Sequence, residues 1–249
     1  MSEARSTGDS EILRVQRVGT EDSYRNELEQ TRAQMMMLAR EIGDFHARER
    51  RQGNRLQEML DSLKKTYLGV VHGMAQLVEA RDEYTRYHLE RTRGYASALA
   101  QVIDISLAAP EVAHGYLLHD VGKAGVPDAI LSKPGSLTNE EMRVMRSHPI
   151  HGIQIVEPMG FLVPEALAVI RHHHERFDGD GYPDGLSGER IPLAARIFSI
   201  ADAFDAMTTD RPYRSALSNE EAVRRLNAES GTQFDPDVVA AFVELMAEG

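Results

Sequence analysis

Neither cysteine nor tryptophan occurs in this chain of 249 residues. A chain without thiols makes no disulfide and no thiolate metal site, so any metal it binds is held by His, Asp and Glu. A basic excess is missing too: 28 Lys and Arg stand against 39 Asp and Glu, a formal net charge of -11. That balance argues against DNA or RNA as a partner, because non-specific nucleic-acid binding needs a basic surface. It leaves room for a small anionic substrate where bound metal ions reverse the local field. No apolar run approaches the ~18–20 residues of a membrane span. The polar N-terminus lacks the apolar stretch of a signal peptide, and the setting these absences predict is the cytoplasm.

What is present begins with a long helix. Residues 1–20 mix charge with Ser, Gly and Thr and read as a poorly ordered tail or a frayed helix start. From Glu21 to Leu77 there is no Pro and no turn cluster. With Leu28 at heptad position a, that series runs Leu28, Met35, Ile42, Glu49, Leu56, Leu63, Val70, and six of these seven are apolar. The d series, Thr31, Leu38, Phe45, Gln52, Met59, Thr66, Gly73, has three apolar members. The spacing predicts a coiled coil over 21–66, and a homodimer through it. Its seam is broken at Glu49 and Gln52. The competing reading is one long helix packed on its own domain. Beyond it, amphipathic patterns separated by turn signals such as Ala109-Pro110, Lys133-Pro134-Gly135 and Ile191-Pro192 predict a single all-α domain over 67–249.

Ten histidines invite a search for chemistry: 46, 72, 88, 114, 119, 148, 151, 172, 173 and 174. In Leu117-Leu118-His119-Asp120-Val121-Gly122-Lys123 a carboxylate and an imidazole point about 100° apart on a helix, so the pair can serve two metals. Lys123 would follow His119 by one turn on the same face, within reach of a phosphate. A buried His–Asp hydrogen bond with Lys123 in solvent fits these residues equally well. In Arg171-His172-His173-His174-Glu175, the upstream stripe Val163, Ala166, Leu167, Ile170 continues onto His173 and His174 and passes His172 by. Two buried imidazoles side by side are costly without a metal to organise them, which makes ligation the better reading. His148 stands before Pro149 at a helix start, and a capping or surface role is open to it; His151 reads as exposed. Asp202 and Asp205 share a face of the helix expected at Arg196–Met207, as ligand and supporting partner or as a cap or salt bridge to Arg211. His88, near Arg81, Thr85 and Arg91, reads on its own as a solvated histidine.

Taken together, these motifs resemble the HD-GYP family of metal phosphohydrolases from about Val78 to Phe242. The resemblance rests on Glu79-Ala80-Arg81-Asp82…His88, His119-Asp120-Val121-Gly122-Lys123, Pro134-Gly135, His148-Pro149 and His173-His174-Glu175-Arg176. The most specific stretch is Asp178-Gly179-Asp180-Gly181-Tyr182-Pro183-Asp184-Gly185-Leu186, followed by Ala201-Asp202…Asp205 and Asp210-Arg211-Pro212-Tyr213-Arg214. It implies an all-helical domain that hydrolyses cyclic di-GMP to pGpG, with a second cut to GMP left open, in bacterial signalling. The implied metal ligands are His88, His119, Asp120, His148, His173, His174 and Asp202. The implied substrate contacts are Lys123, Arg211, Arg214 and the Gly181-Tyr182-Pro183 loop, with Lys123 and Asp120 in catalysis and Asp205 and Glu175 in support. Some members carry an acidic residue where this chain has Tyr84 and hold a third metal, so two divalent ions, iron or manganese, are expected here. Two metals ~3.5–4 Å apart lower the pKa of a bridging water to give hydroxide near neutral pH. Competing readings are a cyclic di-GMP receptor or scaffold with little turnover, and a hydrolase of a related cyclic dinucleotide. The helix ahead of the domain could also dock an upstream signalling partner.

Overall fold

A computed structural model describes the backbone of residues 4–81, 88–210 and 215–248, and the side chains of 23–78, 88–210 and 215–247. Among these residues there is no β-strand, only one isolated bridge between Ser230 and Phe234. Helix α1 runs from Ala4 to Arg81. There follow α2 (His88–Ile103), α3 (Pro110–Leu118), α4 (Asp128–Leu131), α5 (Asn139–Met145), α6 (His148–Val156), α7 (Pro164–His172), α8 (Leu193–Thr208), α9 (Asn219–Ala228) and α10 (Pro236–Glu248). Packing divides the chain into two units, residues 1–63 and residues 64–249. The first is helical from Ala4, and its large side chains from Tyr24 to Leu63 stand in solvent.

The second unit is an all-α domain, and its element starts follow from local chemistry. Pro110, Pro164 and Pro236 each open a helix, where the missing N–H costs nothing and the fixed φ is already helical. Thr138 and Glu141 form a reciprocal capping box at the start of α5, and the Ser218 hydroxyl accepts from Glu221 N at the start of α9. Two apolar clusters hold the helices. The larger joins Leu99, Tyr116, Phe198, Phe204, Leu226 and Phe242, with the Tyr116 and Phe198 rings stacked at 5.4 Å. The smaller sets Val71 and Ala75 of α1 against Leu89, Leu118, Val121, Val156 and Ile170.

The segment after α3 departs from expectation. The helix stops at Leu118, and Asp120 (φ -99°, ψ 4°) leads into a tight 3-10 turn over Val121–Gly125. Lys123 therefore lies in that turn and not one helical turn above His119. The cause is the approach of α6. A Cβ on Gly122 would lie 1.9 Å from the carbonyl oxygen of His148 and 2.4 Å from Gly152 N, so only glycine lets the two backbones meet. Gly122→Ala is expected to cost about 1–3 kcal/mol or more through overpacking. Gly94→Ala, on α2 with nothing near its added methyl, should stabilise by up to about 1 kcal/mol. Denaturant unfolding of both variants checks the contrast.

Candidate functional site

Seven polar side chains converge where several helix ends of the domain meet. His88 opens α2, His119 and Asp120 follow α3, His148 opens α6, His173 and His174 follow α7, and Asp202 lies within α8. One ligand-type atom from each of Asp120, His148, His173 and His174 lies within 4.8 Å of the others, and the same holds for His88, His119 and Asp202. Asp120 touches both sets. Its Oδ1 is 3.1 Å from His148 Nε2 and 3.9 Å from His173 Nε2, while its Oδ2 is 3.3 Å from His119 Nε2. His88 Nε2 is 3.4 Å from Asp202 Oδ1. The structure thus brings together all seven residues expected from sequence as ligands.

The proton positions follow from the partners. His119 Nδ1 is 2.9 Å from Tyr116 O, His148 Nδ1 is 2.9 Å from Met145 O, and His173 Nδ1 is 3.0 Å from Val169 O. A carbonyl oxygen only accepts, so each Nδ1 donates and each Nε2 of the neutral ring carries a lone pair. His88 Nδ1 is held in the same way by Asp205 Oδ2 at 2.8 Å. Lone pairs then face one another: His148 Nε2 stands 3.3 Å from His173 Nε2. His119 Nε2 and Asp120 Oδ1 are buried with no hydrogen-bond partner; the 3.1 Å approach of Asp120 to His148 is close but joins two acceptors. Buried acceptors aimed at one another are costly unless a cation lies among them. A donor set of imidazole and carboxylate fits a divalent metal of the iron, manganese or zinc kind.

Electrostatics agree with this reading. Burial, and then the neighbouring imidazole of His174, hold His173 well below its ordinary pKa. Burial, then His148, push His174 down to about 3. Burial alone would raise Asp120, but the Lys123 ammonium beside it outweighs burial and holds the carboxyl well below the usual range. Lys123 Nζ donates to Asp120 Oδ2 at 2.6 Å. Asp205, itself almost fully buried, accepts from His88 and from the Arg91 guanidinium, which also reaches Thr209 Oγ1. Burial works against the charged form of His88, but the Asp205 hydrogen bond and the charge of Asp202 raise its pKa.

Glu175 does something other than support a ligand imidazole. Its two oxygens accept from the backbone N–H groups of Asp184 and Leu186 and so tie down the loop carrying Gly181-Tyr182-Pro183. His172 and Asp184 lie near it, but Asp184 is engaged by Arg171 through two hydrogen bonds, so the carboxylates of this third group are already occupied. The loop closes on the site. Gly181 has no room for a Cβ, which would lie 2.3 Å from Arg176 N. The Tyr182 ring stacks on His174 at 4.8 Å, and the Arg146 guanidinium lies 5.2 Å from the Tyr182 ring centre. Together with Asp202, Ser199 and Met207 they line a cavity of about 550 Å³.

Sequence reasoning missed Arg146, although a basic residue two positions before a ligand-type histidine was a usable signal. It also misjudged His151, which is half-buried against Gly125 with an unpartnered Nδ1, because α6 packs on the turn that Gly122 makes possible. Nor is His88 a solvated histidine, since it packs against Asp205 and the edge of His119. Tyr84, Arg211 and Arg214 lie outside the described residues.

Comparison with known proteins follows the same lines. Residues 72–238 match the HD domain family, and the chain belongs to that family, in its HD-GYP branch. It is 39% identical over 204 residues to the cyclic di-GMP phosphodiesterase response regulator RpfG of Xanthomonas campestris, across 78% of this chain and 52% of that protein. It is 39% identical to a cyclic di-GMP phosphodiesterase of Thermotoga maritima (72% of this chain, 49% of that one). It is also 35% identical to 3'3'-cGAMP-specific phosphodiesterase 2 of Vibrio cholerae (75% and 36%). The chain spans about half the length or less of these relatives. A cyclic GMP-AMP-specific phosphodiesterase of V. cholerae shares the fold with a TM-score of 0.54 at 20% identity, over 71% of this chain and 48% of that one. An HD-GYP-type protein of Bdellovibrio bacteriovorus does so at 0.52 and 24%, over 65% and 52%.

Asp205→Ala should free the His88 ring and lower metal affinity at the His88–His119–Asp202 group by about 10–100-fold. Metal titration followed by elemental analysis checks this as weaker metal uptake than that of the unaltered chain.

Proposed function

We propose that this chain is a metal-dependent phosphodiesterase that opens cyclic di-GMP to pGpG and, on a second cut, yields GMP. The observation that carries the reading is the set of imidazoles whose Nδ1 atoms are tied back and whose Nε2 atoms converge on Asp120. His148, His173 and His174 would hold one ion and His88, His119 and Asp202 a second, with one oxygen of Asp120 toward each. The donor set favours iron or manganese. Divalent ions held there supply Lewis acidity toward the phosphoryl oxygens and bring the pKa of water toward neutrality.

The chain's own residues do the rest. Asp120, kept ionised by Lys123, preserves the negative charge on which both groups of ligands depend. The Lys123 ammonium beside it would meet charge that develops on the equatorial phosphate oxygens. Arg211 and Arg214 take the remaining phosphate contacts in this reading. The Gly181-Tyr182-Pro183 loop, tied down by Glu175, forms the wall against which a nucleobase rests. The cavity lies within the range of small-ligand sites. A homodimer through α1 and a cytoplasmic signalling role accompany this proposal, as they suit enzymes that remove a diffusible second messenger.

The relative named for 3'3'-cGAMP supports a second reading, hydrolysis of that hybrid cyclic dinucleotide. Purified protein loaded anaerobically with Fe(II) or Mn(II) should convert cyclic di-GMP to pGpG faster than 3'3'-cGAMP to its linear product, followed by chromatography. The opposite preference replaces the first reading with the second, and no product from either overturns both. His119→Ala and Asp120→Ala should abolish turnover. Lys123→Ala, removing one preorganised charge, should lower kcat by about 10²–10³-fold. Chelation by EDTA should stop the reaction and Mn(II) restore it.

A further inference from the structure

Among the described residues three guanidinium groups line the cavity, those of Arg146, Arg176 and Arg225. Arg176 donates twice to Asp178, and Arg225 is held by Glu221. No carboxylate of the described residues pairs with Arg146; its guanidinium carbon lies 5.2 Å from the centre of the Tyr182 ring. The backbone of Arg146 is fixed by the end of α5, where its N–H donates to Met142 O at 2.8 Å. The Met145 carbonyl, one residue earlier, holds His148 Nδ1. The turn that presents Arg146 therefore also presents a ligand-type histidine. Tyr182 is fixed from its own side: the ring stacks on His174 at 4.8 Å, and Glu175 ties down the loop that carries it. A cation–π contact engages the ring's electrons and leaves guanidinium N–H groups to bond a ligand. Arg146 thus offers a fork of donors to whatever fills the cavity.

We propose that Arg146 is the guanine-selecting residue of this cavity, its guanidinium, set against Tyr182, donating to O6 and N7 of one guanine of a cyclic dinucleotide. The inference rests on the reading that such a molecule occupies the cavity. A phosphate among the ligand imidazoles meets Lys123, whose ammonium is 2.6 Å from Asp120. The nucleoside attached to that phosphate extends along the wall that Tyr182 forms, so the group that reaches Arg146 is a base. Guanine presents O6 and N7 as adjacent acceptors, which a guanidinium meets with two N–H groups; adenine puts an amino donor in place of O6. The carboxylates of Asp180 and Glu229 line the same cavity and suit the N–H groups of guanine's other edge. One base read in this way also fixes which phosphate lies over the metals. Hydrolysis adds water at phosphorus and releases the 3' oxygen as a hydroxyl. The two bonds of 3'3'-cGAMP therefore give different linear products, pApG or pGpA, and a chain that seats guanine at Arg146 makes one of them.

The test separates base from phosphate and binding from turnover. The full chain loaded with Mn(II) is titrated calorimetrically with GMP and with AMP, which carry the same phosphate and contain no diester to cut. GMP should bind about 5–150-fold more tightly than AMP, the discrimination of one bidentate pair. Arg146→Ala should bring GMP down to the level of AMP and leave AMP within about twofold. Arg146→Lys keeps the charge without the planar fork and should recover little of the preference. Equal weakening of both nucleotides by Arg146→Ala, full recovery by Arg146→Lys, or no GMP preference in the unaltered chain overturns the proposal. Arg146 is exposed, and circular dichroism checks that both variants are folded. With 3'3'-cGAMP as substrate, the unaltered chain should release one linear isomer and Arg146→Ala a mixture, separated by chromatography and mass spectrometry. A mixture from the unaltered chain, or a single isomer from both, also overturns it. No product from any cyclic dinucleotide overturns the phosphodiesterase reading instead, and the GMP and AMP titrations then decide the role of Arg146 alone.

Discussion

Three helices end at one place, and each ends on a histidine or just short of one. The last-turn carbonyls of a helix lack amide partners and carry the negative end of its dipole. Here Tyr116 O in α3, Met145 O in α5 and Val169 O in α7 accept from the Nδ1 atoms of His119, His148 and His173. At Tyr116 and Met145 one hydrogen bond thereby does two jobs, satisfying a helix end and fixing the tautomer and direction of an imidazole; Val169 O also accepts from His173 N, and there the imidazole bond does the second job alone. The Nε2 lone pairs must then point away from the helices, into the space the three ends share. That space is surrounded by partial negative charge and by Asp120 and Asp202, which is why a cation belongs in it.

Such a cluster is held open by what surrounds it. Buried acceptors facing one another repel, so the metal-free domain depends on apolar packing to keep them there. Phe198 lies against the His119 ring at 4.7 Å and stacks on Tyr116 on its other side. The larger core therefore bears directly on the ligand set. From the opposite direction, the glycine backbone at 122 lets α6 come close enough to deliver His148. Asp205 and Arg91 anchor His88 from behind. Sterics, the apolar core and a buried ion pair each position a different ligand.

Much of this was legible in the residues. Pro149 placed the start of α6, and the 3.6-residue stripe of α7 passed through Ala166 and Ile170, both fully buried, onto His173 and His174 while leaving His172 aside. The all-helical class followed from the same periodicities. The break after Leu118 did not, because it is imposed by a helix thirty residues further on. The side-chain-to-carbonyl tethers were invisible for a related reason: they need the helix ends, and ends are what patterns locate least well. His88 looked solvated because its partner Asp205 lies 117 residues away. Glu175 was expected to support the ligands, yet its carboxylate serves the backbone of the following loop, a role that a side chain's identity does not announce.

The stack of Tyr182 on His174 joins two functions that are usually described apart. His174 faces the proposed metal on one side and carries the wall of the cavity on the other. Anything that stills that imidazole also stills the ring resting on it, and the converse holds equally. On the function proposed above, the entropy of ordering the loop would be shared between the ion and the nucleotide, and whichever arrived first would leave less for the second to lose. A site of this kind would couple its cofactor to its substrate without changing shape.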